Sequence, residues 1–135
     1  MSFEAIRSGS VIVYPYLRLH EAEAGETGGR KARPTAVGVR LPSDRGDLLL
    51  LFPITSKYPG RNRIAAEFPD TENGALDWNR LRLWIILDEY NEDVIGRSFH
   101  LPPGPPLGEF SKAFFLPVMR RFIAERPRAR RVGRR

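Results

Sequence analysis

The stretch Leu48-Leu-Leu-Leu-Phe-Pro-Ile-Thr-Ser-Lys57 decides how the rest of the chain is read. Five apolar residues run without interruption from Leu48 to Phe52. A run this short cannot cross a membrane, and it fits a strand buried on both faces. Pro53 closes it, and two hydroxyls and an amine then follow in Thr55, Ser56 and Lys57. A core strand running into a turn has this pattern. So does a rigid strand holding reactive groups at the rim of a small sheet.

Working back from this strand, Pro42 to Asp47 carries Pro, Ser, Asp and Gly and reads as a turn. Thr35-Ala-Val-Gly-Val39 before it reads as a second strand, preceded by Arg33-Pro34. Residues 17–32 have neither a helical nor a strand period and read as a long polar connection, a length that in a small domain usually carries function. Ser10-Val-Ile-Val-Tyr14, after Gly9, is a first strand by its β-branched and aromatic content. Working forward, Tyr58 to Asn62 is a turn and Ile64 to Phe68 a short strand. Asp70 to Asn79 is polar, with room for a helical turn, and Leu81 to Leu87 is an apolar strand. The acidic segment Asp88 to Asp93 reads as a solvated turn, with a last short strand over Val94 to Leu101.

After the linker Pro102–Pro106 the period changes. Phe110, Phe114, Phe115, Val118, Met119, Phe122 and Ile123 recur at three and four, which predicts an amphipathic helix of roughly four turns. Pro117 either kinks it or opens a shorter helix. The fold class expected is mainly β: one domain over residues 1–126, a compact and strongly curved, barrel-like antiparallel sheet with a C-terminal helix packed on it. Residues 127–135 are expected to be a disordered basic tail. Small sheets with an uncovered face or edge often complete themselves by dimerising.

The net charge of +6 is unevenly placed. Residues 120–135 hold eight arginines and one glutamate, whereas the other 119 residues carry 14 Lys and Arg against 15 Asp and Glu. The basic character therefore belongs to the tail. With no cysteine there is no disulfide and no thiolate metal site, which suits a reducing cytoplasm. The N-terminus lacks the apolar core of a signal peptide, and no stretch is long and apolar enough for a membrane span.

Motifs for familiar chemistries are missing. There is no His-Glu-x-x-His, no phosphate-binding Gly-x-x-x-x-Gly-Lys-Ser/Thr and no Gly-x-Ser-x-Gly. His20 sits in the long connection and His100 is read as structural. What remains is a set of polar groups at strand ends: Arg33, then Thr55, Ser56 and Lys57, then Asp88 to Asn91. An arginine beside a hydroxyl suits a pentacovalent phosphate, because the guanidinium fork matches its oxygens and the hydroxyl donates to another. RNA brings its own nucleophile, the 2′-hydroxyl, so this chemistry does not oblige the protein to supply one, or a cofactor.

These residues resemble the MazF/PemK (Kid) family of toxin endoribonucleases from bacterial toxin–antitoxin pairs. Gly9-Ser-Val-Ile-Val-Tyr14 is similar to the family's opening strand, and Glu26 through Arg33-Pro34-Thr-Ala-Val37 to its Gly-x-Glu-x-x-Gly-x-Arg-Pro-x-x-Val segment. Leu50-Leu-Phe-Pro-Ile-Thr-Ser56 looks like its Pro-Ile/Val-Thr-Ser strand end, and Trp84 to Asn91 lies where the family has a strand ending in an acidic residue. The resemblance implies an SH3-like barrel with a C-terminal helix, a cytoplasmic homodimer, no cofactor, single-stranded mRNA as substrate, and a cognate antitoxin as partner. It implies Arg33 and Thr55 as the catalytic pair, with Lys31, Ser56, Lys57, Asp88 and Asn91 as substrate contacts. Asn91, Glu92 and Asp93 stand where the family carries an arginine motif, so carboxylates are expected on the RNA side. A non-catalytic toxin of the gyrase-poisoning kind, or an inactive relative, would use the same scaffold. Cleavage of single-stranded RNA separates these from the enzyme.

Overall fold

The computed structural model describes residues 3–25, 32–72, 82–96, 100–101 and 104–132. The elements in order are β1 (Ser10–Tyr14), α1 (Leu19–Glu23), β2 (Arg33–Leu41), β3 (Leu48–Thr55), β4 (Ala65–Glu67), β5 (Trp84–Ile86), β6 (Glu89–Val94), β7 (Gly108–Glu109), α2 (Lys112–Glu125) and β8 (Arg130–Arg131). Among the described residues no helix is long and apolar enough to cross a membrane.

The Leu48 stretch is the centre of one sheet. The main path runs β4-β5-β3-β2-β1-β7, and β6 joins β3 from the side and carries β8 on its other edge. All pairings are antiparallel except β6 with β8. The sheet is mainly β as expected and is open, because β4 and β7, at the two ends of the path, do not pair among the described residues.

β3 is buried on both faces for a clear reason. Leu50 and Phe52 join Val11, Ala36, Ile85 and Leu87 beneath the α2 residues Phe115, Val118, Met119 and Phe122. Leu49 and Leu51, one step out of phase, join Ile12, Tyr14 and Val37 under Ile6, Tyr16 and Leu101. Gly38 sits at the bulge in β2 between Val37 and Val39. A Cβ there would overlap the Phe52 ring and crowd the Met119 sulfur, so this glycine makes the seat for the helix. Phe52 and Phe122 meet edge to face at 4.8 Å.

The ladder beside β3 breaks at a corner. Leu51 pairs with Asn91, but Ile54 pairs with Ile85, so three steps along β3 correspond to six along its partner. Leu87 and Asp88 turn the chain from β5 into β6. Pro53 falls in this interval, and β3 continues past it to Thr55 rather than stopping there.

Helix α2 starts at Ser111, whose Oγ accepts from the Phe114 N–H at 3.2 Å. The buried carboxylate of Glu72 accepts from the Ser111 N–H at 2.7 Å and from its hydroxyl at 2.9 Å. The helix runs through Pro117 without ending. Pro117 is exposed, and so is Ala113, whose carbonyl lies one turn back and is left to solvent. Ile123, assigned to the buried stripe from its spacing, points outward.

Four further expectations are corrected. The long connection holds the short helix α1, tied down where Glu21 accepts from the Arg18 N–H at 2.8 Å. Most of the acidic segment is strand β6, not a turn; Asp88, Glu89 and Glu92 meet arginines, and Asp93 meets a tyrosine hydroxyl (below). The short strand expected over Val94 to Leu101 is not formed as such: β6 already ends at Val94, and residues 97–99 lie outside the described set. The basic tail is not free through residue 132. After a 3-10 turn at Arg126–Arg128, β8 lies along β6 and Val132 is buried. The expected helical turn over 70–79 falls mostly outside the described residues.

Candidate functional site

Arg33 and Thr55 lie at the same end of neighbouring strands. β2 and β3 pair as far as Thr35 opposite Pro53, so Arg33 and Thr55 each lie two residues beyond the last paired positions. Residues opposite one another in an antiparallel pair share a face. Tyr14 pairs with Arg33, Thr55 with Trp84, and Trp84 with Glu67. Tyr14 with Arg33, and Thr55 with Trp84 and Glu67, are therefore two paired parts of a row on the face away from α2.

Within this row the arginine and the hydroxyl keep bonding capacity in reserve. The Arg33 guanidinium has one ionic neighbour among the described residues, the buried Glu21 carboxylate at 3.7 Å, beyond hydrogen-bond range. Glu21 thus balances and orients the charge, while the donors of the fork make no hydrogen bond among the described residues. The Thr55 Oγ accepts from the Lys57 N–H at 3.0 Å, which fixes its rotamer in a local turn. Its proton meets only the Lys57 carbonyl at 3.5 Å, a contact too long to hold it. Ser56 and Lys57 are exposed beside it, and Lys57 makes no ion pair among the described residues. Lys31 lies outside the described residues.

Asp88 and Asn91 are placed differently. Asp88 receives both Nε and Nη2 of Arg63, at 2.8 Å and 2.6 Å for the shortest contacts, and the Ile64 N–H at 3.2 Å. Burial pushes its pKa up, but the Arg63 and Ile64 hydrogen bonds outweigh that and hold it below the usual value. The same Arg63 reaches Glu89 at 2.9 Å, and the guanidinium is pushed further up by the Asp88 bonds. Glu89, only 1% exposed, also accepts from the Tyr16 hydroxyl at 3.2 Å, Arg18 Nε at 3.2 Å and the Leu19 N–H at 3.1 Å. Burial and the Glu89 charge raise the Tyr16 phenol well above its ordinary pKa. Asn91 is equally buried: it accepts from the Leu17 N–H at 2.9 Å and donates to the carbonyls of Leu17 at 3.0 Å and Val132 at 3.3 Å. Its amide is spent on holding the chain together, which corrects its reading as a substrate contact.

The carboxylates expected to repel RNA are matched. Glu92 faces Arg131 at 3.4 Å, and Asp93 accepts from the Tyr14 hydroxyl at 2.6 Å. His20 is exposed on α1, and the His100 ring packs edge-on to Tyr14 at 6.3 Å. Among the described residues no group of three or more His, Asp or Glu could hold a metal ion.

Sequence reasoning missed Glu21, Arg63 and Glu89. It also missed an aromatic group beside Thr55. Tyr58 meets the Trp84 ring edge-on at 5.9 Å, and the Arg82 guanidinium lies 5.0 Å from the Trp84 ring centre. The pairing of Thr55 with Trp84 was the one relation that would have revealed it, and it depends on the ladder break at Pro53.

No family model, curated protein or solved structure matches the chain.

Proposed function

We propose that this protein is a toxin endoribonuclease of the MazF/PemK kind, cutting single-stranded RNA by attack of a 2′-hydroxyl on the adjacent phosphate. The observation that carries the reading is that Arg33 and Thr55 lie at the same end of neighbouring strands, each with hydrogen-bond donors uncommitted among the described residues. As the 2′-oxygen bonds to phosphorus, its proton is lost. As the phosphorus–5′-oxygen bond breaks, the leaving oxygen takes up a proton. The products are a 2′,3′-cyclic phosphate and a 5′-hydroxyl end. Arg33 neutralises the charge gathering on the non-bridging oxygens, and the Thr55 hydroxyl donates to one of them. Glu21 keeps the Arg33 fork in place.

On this reading the curled sheet is an open variant of an SH3-like barrel. The protein works in the cytoplasm as a homodimer, and its partner is an antitoxin with a disordered acidic segment that covers the site. The deciding experiment incubates the protein with single-stranded RNA and maps the ends. Arg33→Ala should lower cutting about 10²- to 10³-fold with the fold intact, and unchanged cleavage by that variant would overturn the assignment.

One observation favours a second reading, a non-catalytic toxin that binds a protein target through its helix. Leu116 and Ile123 are exposed two turns apart on α2. Absence of RNA fragments at high protein concentration, together with toxicity on expression that Leu116→Glu relieves, would select it.

A further inference from the structure

We propose that Tyr58 is a base-stacking platform, binding one nucleobase of a single-stranded RNA whose phosphate lies at Arg33 and Thr55. The inference rests on the functional reading above and adds the group that would position the substrate.

Tyr58 is 63% exposed, although most of a tyrosine is apolar ring. The ring is nevertheless supported. It abuts Trp84, which is buried and backed by the Arg82 guanidinium, itself held at 2.8 Å by Glu67. A supported ring with an open surface gives up little conformational freedom when a base stacks on it.

Its position suits the task. Tyr58 lies three Cα steps from Thr55, so their Cα atoms are at most about 11 Å apart. That is the reach from one phosphate to the base of the same or the adjoining nucleotide. Lys57 and Arg61, on either side of the tyrosine, are exposed and form no ion pair among the described residues. Two free cations flanking an exposed aromatic ring are the elements of a single-strand track: charge for the backbone, a π-face for the base. Stacking discriminates little between bases, so the platform supplies affinity and position rather than a sequence code.

The test measures binding separately from cutting. Fluorescence anisotropy with 2′-O-methyl oligonucleotides, which lack the nucleophile, is read for the wild-type protein, Tyr58→Ala, Tyr58→Phe and Tyr58→Trp, with cleavage of ordinary RNA run in parallel. Tyr58→Ala should weaken binding roughly 5- to 150-fold, whereas the Phe and Trp variants retain it. The salt dependence of binding should keep its slope in Tyr58→Ala and lose about 0.7 in Lys57→Ala, because only the lysine releases a counterion. Wild-type binding that Tyr58→Ala leaves unchanged overturns the platform and leaves the Arg33–Thr55 reading standing. Binding that depends on Tyr58 without any cleavage keeps the platform and removes the nuclease. No binding by the wild-type protein overturns both.

Discussion

The β5–β6 corner and the ends of β2 and β3 are built from similar residues and finished in opposite ways. At the corner, Asp88, Glu89 and Asn91 are saturated by Arg63, Arg18, Tyr16 and backbone groups. At the strand ends, Arg33 and Thr55 are anchored, and Lys57 and Tyr58 exposed, with bonding capacity to spare among the described residues. The density of charge does not separate the two regions, since the corner is the more charged. What separates them is satisfaction: a buried polar group with all its partners is architecture, and an anchored one with capacity to spare can meet a ligand.

The comparison is best broken at its most buried charge. Glu89→Ala leaves Arg63 and Arg18 without their shared partner and should lower unfolding stability by about 3–5 kcal/mol in a urea titration. A variant that folds normally and loses only RNA cleavage would move the functional site to the corner. Arg33→Ala tests the other side. It should reduce the cleavage rate about 10²- to 10³-fold, with a melting temperature close to wild type, because the Arg33 guanidinium makes no hydrogen bond among the described residues. Asn91→Ala should be intermediate in stability, about 1–3 kcal/mol, from the unpaired Leu17 groups it leaves behind. Its residual activity should track the folded fraction.

The smallest effect is one of pH. The Asp88 carboxyl is held below its ordinary 3.8 in the folded chain, so its contribution to stability is complete above that value. The contribution is lost as pH falls through the lower folded value. Asp88→Asn should therefore be less stable than wild type near neutrality, and the gap should narrow in denaturation curves taken below pH 3.8. A gap constant with pH would mean that Asp88 acts by shape alone.

Much of the site was legible because chain order and strand periodicity put Arg33 and Thr55 at neighbouring ends. The strand from Leu48 and the helix from Lys112 announced themselves by apolar spacing. β6 did not, because its inward residues are Glu89 and Asn91, and an alternation written in polar residues is invisible until their partners are known. Those partners come from residues 16–19, 63 and 132, and no local pattern links them to β6. The tail misled for a related reason. Its arginines suggest a solvated end, but one buried valine and the acids of β6 are enough to dock it.

The β1–β7 pairing has a consequence in time. Val11 meets Gly108 across 97 positions of the chain, whereas β1 finds β2 after a much shorter interval. At ribosomal rates of about 5–20 residues per second, the outer edge of β1 would wait about 5–20 s for its neighbour. During that wait it presents unpaired backbone groups, the surface on which strands of separate nascent chains find one another.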